Sequence, residues 1–256
     1  MESILTKEQI AELYCREDER GQKLLRSIFR QEDIQEAMQG VWCARIDDRA
    51  QKLTLISKSN CDRYNESWFA GVAIITPIHA FIIASHNTVF AEWGPDSAEW
   101  DSDKDDKSTI QLITDESSFD SYTATKCILD HYKGRSTRYS EKGEPFNFTG
   151  SPAADFCHRY WGFGEKWTLP TVAQLKIIAE HIKEVQACFV AMKAPVMIDA
   201  FYWSSIACHR DFERACAVSM SSGVMRYFYK LEAKCVRAVQ PFDISDVCIT
   251  LLSSAE

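Results

Sequence analysis

W-T-L-P-T (residues 167–171) opens a stretch that closes at C-V-R-A-V (residues 235–239), and its reading decides the fold. Thr171 stands where a helix N-cap is expected, and Leu175, Ile178, Ile182 and Val185 recur at helical spacing behind it. Ile177 and His181 widen that stripe, so one amphipathic helix is expected, with His181 as part of its packing face. The runs F-Y-W-S-S (201–205), C-A-V-S-M (216–220), V-M-R-Y-F-Y-K (224–230) and K-C-V-R-A-V (234–239) read as short antiparallel strands, with Gly223 at a turn. Between Ser205 and Cys235 the Cys, His, Arg, Phe and Tyr residues follow no clean period. Anchored ends around an irregular interior fit a surface held in place so that its side chains can vary, or an ordinary loop-rich β-region.

Upstream of this stretch, S-P-A-A-D (151–155) starts a helix running to Tyr160, with Ser151 as cap and Pro152 in the first turn. Another helix is expected from Ser121 to Tyr132, with Ala124, Cys127, Ile128 and His131 on one face and Gly134 as its stop. From Val41 to Phe90 the pattern is that of strands. L-T-L-I-S (53–57) alternates, and G-V-A-I-I-T (71–76) and H-A-F-I-I-A-S (79–85) flank Pro77 as a buried hairpin. Residues 3–38 read as an arm of two short helices parted at Gly21, with Thr6 and Gln9 as a capping box. Residues 94–118 form an acidic polar loop lacking the Gly and terminal Glu of an EF-hand. The terminal V-C-I-T-L-L (247–252) reads as one more edge strand, and no internal repeat is evident.

With 256 residues, the chain is long enough for one large domain or two small ones. Its formal net charge of -8 argues against nucleic acid as a partner, because phosphate neutralisation needs a basic face. Ten cysteines occur without a C-x-x-C pair, which leaves zinc-finger and redox-dithiol readings weak and points to thiols in a reducing compartment. The N-terminal residues lack the basic start and apolar run of a signal peptide, so a cytoplasmic or phage-virion location is expected. No apolar stretch is long enough to span a bilayer, so membrane insertion is not expected.

Taken in order, S-P-A-A-D-F-C-H-R-Y, W-T-L-P-T-V-A-Q-L-K-I-I, Y-W-S-S, A-C-A-V-S-M-S-S-G and V-R-A-V resemble the C-type-lectin-like domains of bacterial and phage adhesins. F-A-G-V-A-I-I-T (69–76), H-A-F-I-I-A (79–84) and A-E-W-G (91–94) resemble the opening strands of such domains, so the similarity covers roughly residues 66 to 239. The nearest branch contains the variable proteins of diversity-generating retroelements. This resemblance implies an α+β, C-type-lectin-like fold, two helices packed on small antiparallel sheets, over residues 66–256. Residues 1–65 would then be a helical and strand extension, by analogy an assembly element of a homo-oligomer.

In the retroelement branch, adenine-directed mutagenesis rewrites AAC- or AAT-type codons. Carried over residue by residue, the ligand surface implied is Ile206, Ala207, Cys208, His209, Arg210, Asp211, Phe212, Ala217, Ser219, Ser221, Ser222, Arg226, Tyr227, Phe228, Tyr229, Leu231, Ala233 and Cys235. Trp203, Met220, Gly223, Lys230 and Arg237 would be fixed scaffold. Departures from the family pattern are Cys216, where a Trp is common, the non-derivable Glu213, Met225, Glu232 and Lys234, and a chain continuing past V-R-A-V. The partner implied is a protein or an extended glycan, bound without calcium, catalysis or any cofactor. Two other readings stay open: a fixed-specificity phage-tail or pilus protein, and a thiol enzyme of the formylglycine-generating type using Cys208, Cys216 or Cys235 with His209 or Arg237.

Overall fold

A computed structural model describes residues 36–47, 52–66, 69–94, 115–133, 150–160, 167–208, 210–211 and 213–242. The structure is α+β, with two five-stranded sheets and a few short helices. The first sheet has the order β10-β4-β3-β1-β2, from β1 (Gly40–Asp47), β2 (Lys52–Ile56), β3 (Phe69–Ile75), β4 (Ala80–Ala84) and β10 (Val239–Pro241). The second runs β5-β9-β6-β7-β8, from β5 (Val89–Ala91), β6 (Phe201–Ala207), β7 (Arg214–Ser219), β8 (Met225–Tyr229) and β9 (Lys234–Val236). Every named pairing is antiparallel except β6 with β9.

The apolar runs flanking Pro77 form the expected hairpin. Every residue of β3 and β4 is buried, because both faces of the first sheet's centre are covered. Thr76 closes the turn: its N–H donates to the His79 carbonyl (2.8 Å) and its Oγ1 accepts from the His79 N–H (2.9 Å). Gly71 sits opposite Ala84, so close to the next strand that a Cβ there would lie 1.8 Å from the Ile83 carbonyl oxygen. β1 and β2 fall within the stretch read as an extension, yet β1 pairs with β3 from Gly40↔Ile75 to Arg45↔Phe69. The described part of residues 1–65 is therefore continuous with the same sheet. The rest of the helical arm, nearly all of the acidic loop and the run 247–252 lie outside the described residues.

Of the four named helices, three start at side-chain caps. In α1 (Ser121–His131) the Asp120 carboxylate accepts from the Thr123 N–H, and in α2 (Pro152–His158) Ser151 accepts from the Ala154 N–H. A full capping box, Thr171 with Gln174, starts α3 (Val172–Glu180). The single helix expected beyond Thr171 is two: the chain turns at His181 (φ -100, ψ 18) before α4 (Ile182–Ala191). The turn lets one apolar stripe serve two sheets. α3 buries Leu175 and Ile178 and packs on β6 and β7, whereas α4 buries Val185, Cys188 and Phe189 and packs on β1 and β3.

The face of α1 also differs from expectation. Ser121, Thr125 and Ile128 are buried, while Ala124 and Cys127 are only partly so. The two hydroxyl groups can be buried because they are bonded: Thr168 Oγ1 donates to Ser121 Oγ (2.8 Å), and the Leu169 N–H donates to Thr125 Oγ1 (3.0 Å).

The sheets are joined where the chain crosses between them, at His86–Thr88 (β4 to β5) and at Arg237–Ala238 (β9 to β10). The Arg237 guanidinium, 1% exposed, donates to the carbonyls of His86 and Pro195 and lies 4.6 Å from the centre of the Phe189 ring. Burial pulls its pKa down to about 10. His86 accepts from the Ala238 N–H through Nε2 (3.3 Å), which requires a neutral ring. Burial drives its pKa down to about 4; the Asn87 carbonyl opposes the shift and the Arg237 charge adds to it.

This frame is sensitive at Gly71 and at His86. Gly71→Ala forces backbone against backbone, so it should cost about 3 kcal/mol or more in urea denaturation, if the chain folds at all. At His86 the unfolded chain binds a proton between its ordinary pKa and about 4, whereas the folded chain does not. The stability from the neutral imidazole is thus complete above pH ~6.5 and is lost as pH falls through about 4, by at most about 3 kcal/mol. Denaturation between pH 4 and 7 should show this slope, and His86→Gln should flatten it.

Candidate functional site

The residues singled out in the sequence fall on β6, β7, β8, β9 and the connections between them, and the structure sorts them by exposure. Ile206, Ala207, Cys208, Ala217, Ser219 and Cys235 are buried and present no surface. The reason is the sheet itself: Ala217 pairs with both Trp203 and Arg226, and Cys235 lies beside Tyr202 on a central strand. His209 and Phe212 lie outside the described residues. Arg210, Ser221, Ser222, Arg226, Tyr229 and Ala233 are exposed, with Asp211, Tyr227, Phe228 and Leu231 half-buried.

The exposed candidates lie on β8, an edge strand, and at its two ends. At one end the β7–β8 turn carries Ser221 and Ser222. It is closed by Ser219 N–H to Val224 O (3.0 Å) and Gly223 N–H to Ser219 O (2.8 Å). Gly223 takes φ +67, the left-handed conformation that favours glycine, and packs toward Ala179 of α3. At the other end, the connections 208–213 and 230–233 are tied by the Lys230 N–H donating to the Glu213 carbonyl (2.8 Å). Arg210, Asp211, Tyr229, Leu231 and Ala233 gather there. The serines of the turn are separated from them by the length of β8, roughly 17 Å for five residues.

Cross-strand pairs order the side chains. Arg214, opposite Tyr229, donates through Nη2 to the phenol oxygen (3.1 Å), stands 4.5 Å over the ring and pairs with Asp211 (3.0 Å). The other face of β8 is aromatic: Phe228 meets Phe201 (4.9 Å, edge-on) and Trp203 (6.3 Å), and Lys234 Nζ lies 4.0 Å over its ring. Arg226 lies over Phe201 at 5.8 Å. Lys234 also pairs with Glu232 (2.7 Å), whose other carboxylate oxygen accepts from the Tyr229 N–H. Tyr227 points the other way and donates to Glu116 (2.9 Å). Burial and that acceptor both push its phenol pKa up.

Arg214, Lys234, Glu232 and Phe201 were missed in the sequence. Only the strand register reveals them, since each acts on a candidate from a neighbouring strand or turn. The anchors beneath are buried: Trp203 donates from Nε1 to the Ala91 carbonyl (2.9 Å), and Lys230 donates to the Tyr132 hydroxyl (3.1 Å) and faces the Trp93 ring at 5.3 Å. Met220 and Arg237 are each 1% exposed.

Cys208, Cys216 and Cys235 are buried free thiols. Burial pushes Cys216 up to about 12, with the Glu116 carboxylate and Cys208 adding to it, and Cys235 up to about 11. Those two sulfurs are protonated at neutral pH. No group of three or more His, Cys, Asp and Glu side chains among the described residues is arranged to hold a metal ion. No described helix is long and apolar enough to cross a membrane. A separate cleft of about 510 Å³ opens between α1 and α2, rimmed by Tyr122, Lys126, Lys133, His158 and Arg159; none of the sequence candidates lines it. No protein-family model matches the chain, and no curated protein matches it.

Within this site the aromatic face and the exposed edge should separate energetically. Phe228→Ala removes ring contacts with Phe201 and Trp203 and should cost about 2 kcal/mol in chemical denaturation. Tyr229→Ala loses an exposed ring–guanidinium contact and should cost under about 1 kcal/mol.

Proposed function

We propose that this chain is a ligand- or receptor-binding protein on a C-type-lectin-like scaffold, its recognition surface formed by β8 and the connections at its ends. The observation that carries this reading is the division between exposed and buried positions. Of the residues expected to be fixed, Trp203, Met220, Lys230 and Arg237 are buried and Gly223 holds a left-handed turn. Of those expected to vary, Arg210, Ser221, Ser222, Arg226, Tyr229 and Ala233 are exposed along one edge of one sheet, while the buried Ile206, Ala207, Cys208, Ala217, Ser219 and Cys235 fall outside the proposed surface. Helices packed on small antiparallel sheets are compatible with that scaffold.

The exposed groups also suit recognition. Tyr buries a large area with few rotors to freeze, Arg presents a planar multi-donor head, and Arg214 and Tyr229 hold each other in place before a partner arrives. The partner is a protein or an extended glycan. The buried, protonated Cys216 and Cys235 give no support to thiol catalysis at this site.

Diversification of the surface by a retroelement is part of the proposal. Sequencing the gene and its flanks from many related isolates tests it. Substitutions should concentrate at Arg210, Ser221, Ser222, Arg226 and Tyr229, spare Trp203, Met220, Gly223 and Arg237, and be accompanied by a nearby near-copy differing at adenines. Evenly spread changes without a near-copy would sink the retroelement link and leave a fixed-specificity adhesin.

A further inference from the structure

Away from the recognition surface, three cysteines on three different elements meet in the core under the first sheet. Cys43 on β1 is fully buried, and its register partner on β2 is Ile56. Ser57 follows Ile56 and caps a one-turn-and-more 3₁₀ helix (Lys58–Arg63), in which Cys61 is the buried residue. Cys61 Sγ turns back to the Ser57 carbonyl (3.7 Å), which brings it toward Cys43. From the other side, α4 packs on both β1 and the 3₁₀ helix, and Cys43 Sγ contacts the Cys188 carbonyl (3.8 Å). Cys43, Cys61 and Cys188 are thus neighbours in one buried cluster where β1, the 3₁₀ helix and α4 pack together, and the Cys61 and Cys188 side chains act on the Cys43 thiol.

We propose that Cys43, Cys61 and Cys188 form an oxidative modification site, in which Cys43 closes a reversible disulfide with Cys61 when a small-molecule disulfide of the glutathione type reaches the cluster. Cys61 is the entry point. Its 3₁₀ helix is short, a geometry with poor internal hydrogen bonds, and Lys58, Ser59, Asp62 and Arg63 around it are exposed, so local opening of one turn uncovers the sulfur. Once that turn opens, the Cys61 sulfur is released from the Ser57 carbonyl and can ionise in solvent at mildly alkaline pH, whereas Cys43 stays covered on β1.

The Cys61 thiolate attacks one sulfur of the oxidant, forming a mixed disulfide and expelling one thiolate. That thiolate takes the Cys43 proton and leaves as a thiol. The Cys43 sulfur then attacks Cys61 Sγ, and the second half of the oxidant leaves and is protonated from solvent. The two protein thiols are oxidised to one disulfide, and the oxidant is reduced to two thiols. Cys188, in contact with Cys43, can attack Cys43 in turn and pass the bond on. Cys157 provides the contrast: it is buried, and only desolvation acts on its thiol.

The test treats the reduced full chain with oxidised glutathione at mildly alkaline pH. The remaining thiols are blocked with N-ethylmaleimide in denaturant, and peptides are mapped by mass spectrometry. The expected product is a Cys43–Cys61 cross-link, with some Cys43–Cys188, both reversed by dithiothreitol. Cys43→Ser should abolish the cross-link and leave Cys61 as a stable glutathione adduct. If that variant does not fold, the wild-type map decides alone. A stable adduct at wild-type Cys61, three thiols still blocked by the maleimide after oxidation, or a cross-link that forms only in urea would each overturn the proposal.

Discussion

A single buried guanidinium holds the two sheets in one body. Arg237 stands where the chain leaves β9 for β10, and it binds the carbonyl of His86, where the chain leaves β4 for β5. Both crossings between the sheets are therefore pinned by one side chain. Its other arm holds the Pro195 carbonyl on the approach to β6, and its flat face lies on Phe189 of α4. Such a group is costly to desolvate, and among the described residues its hydrogen-bond partners are carbonyl oxygens and the Thr88 hydroxyl, with Nε left unpaired. The carbonyls must therefore be placed by the fold around it. The same condition fixes His86, since a charged imidazole there would lose its bond from Ala238 and face Arg237.

With the sheets so fixed, the break at His181 becomes a packing requirement. A straight helix presents one stripe to one surface. Here Leu175 and Ile178 must meet the second sheet and Val185 and Phe189 the first. The apolar periodicity of residues 172–189 was readable, and so was the Thr171 cap, because these are local features. The turn was not, since nothing local in His181 demands it; the demand comes from two sheets far apart in sequence. The β3–β4 hairpin was readable for the opposite reason, as its partners are neighbours in the chain. The burial of Ser121 and Thr125 was hidden because a pattern of apolar residues cannot count a hydroxyl whose partner is more than forty residues away.

How the proposed surface divides into exposed and buried positions was not legible in the sequence. Residue types pointed to β6, β7, β8, β9 and their turns, but composition carries no information on which face of a strand looks outward. Ala217 and Arg226 face each other across β7 and β8, yet one is covered and the other free. Small residues at Ala215 and Ala217 on β7 are paired with Phe228 and Arg226, and this leaves room for Phe228 to reach Phe201 and Trp203 on β6. The aromatic layer is thus a product of register. Arg214 escaped notice because its importance comes from Tyr229 opposite it, a relation that exists only once β7 and β8 are aligned.

The energetic division between the sheets bears on how such a surface could change without loss of fold. Contacts at the outer side of β8 are exposed ion pairs and ring–cation contacts, each contributing less than about 1 kcal/mol. Against a typical stability of about 5–15 kcal/mol, several can be exchanged together before folding is threatened. The interior leaves no such latitude. Gly71 meets backbone, Trp203 and Lys230 each combine burial with a hydrogen bond, and Arg237 ties both crossings. The three cysteines belong to this constrained part, against the first sheet, whereas the proposed recognition edge belongs to the second. Among the described residues, α3, α4 and the Arg237 clamp lie between the two. Sequence change on β8 can therefore proceed while the clamp, the thiols and the packed hairpin stay as they are.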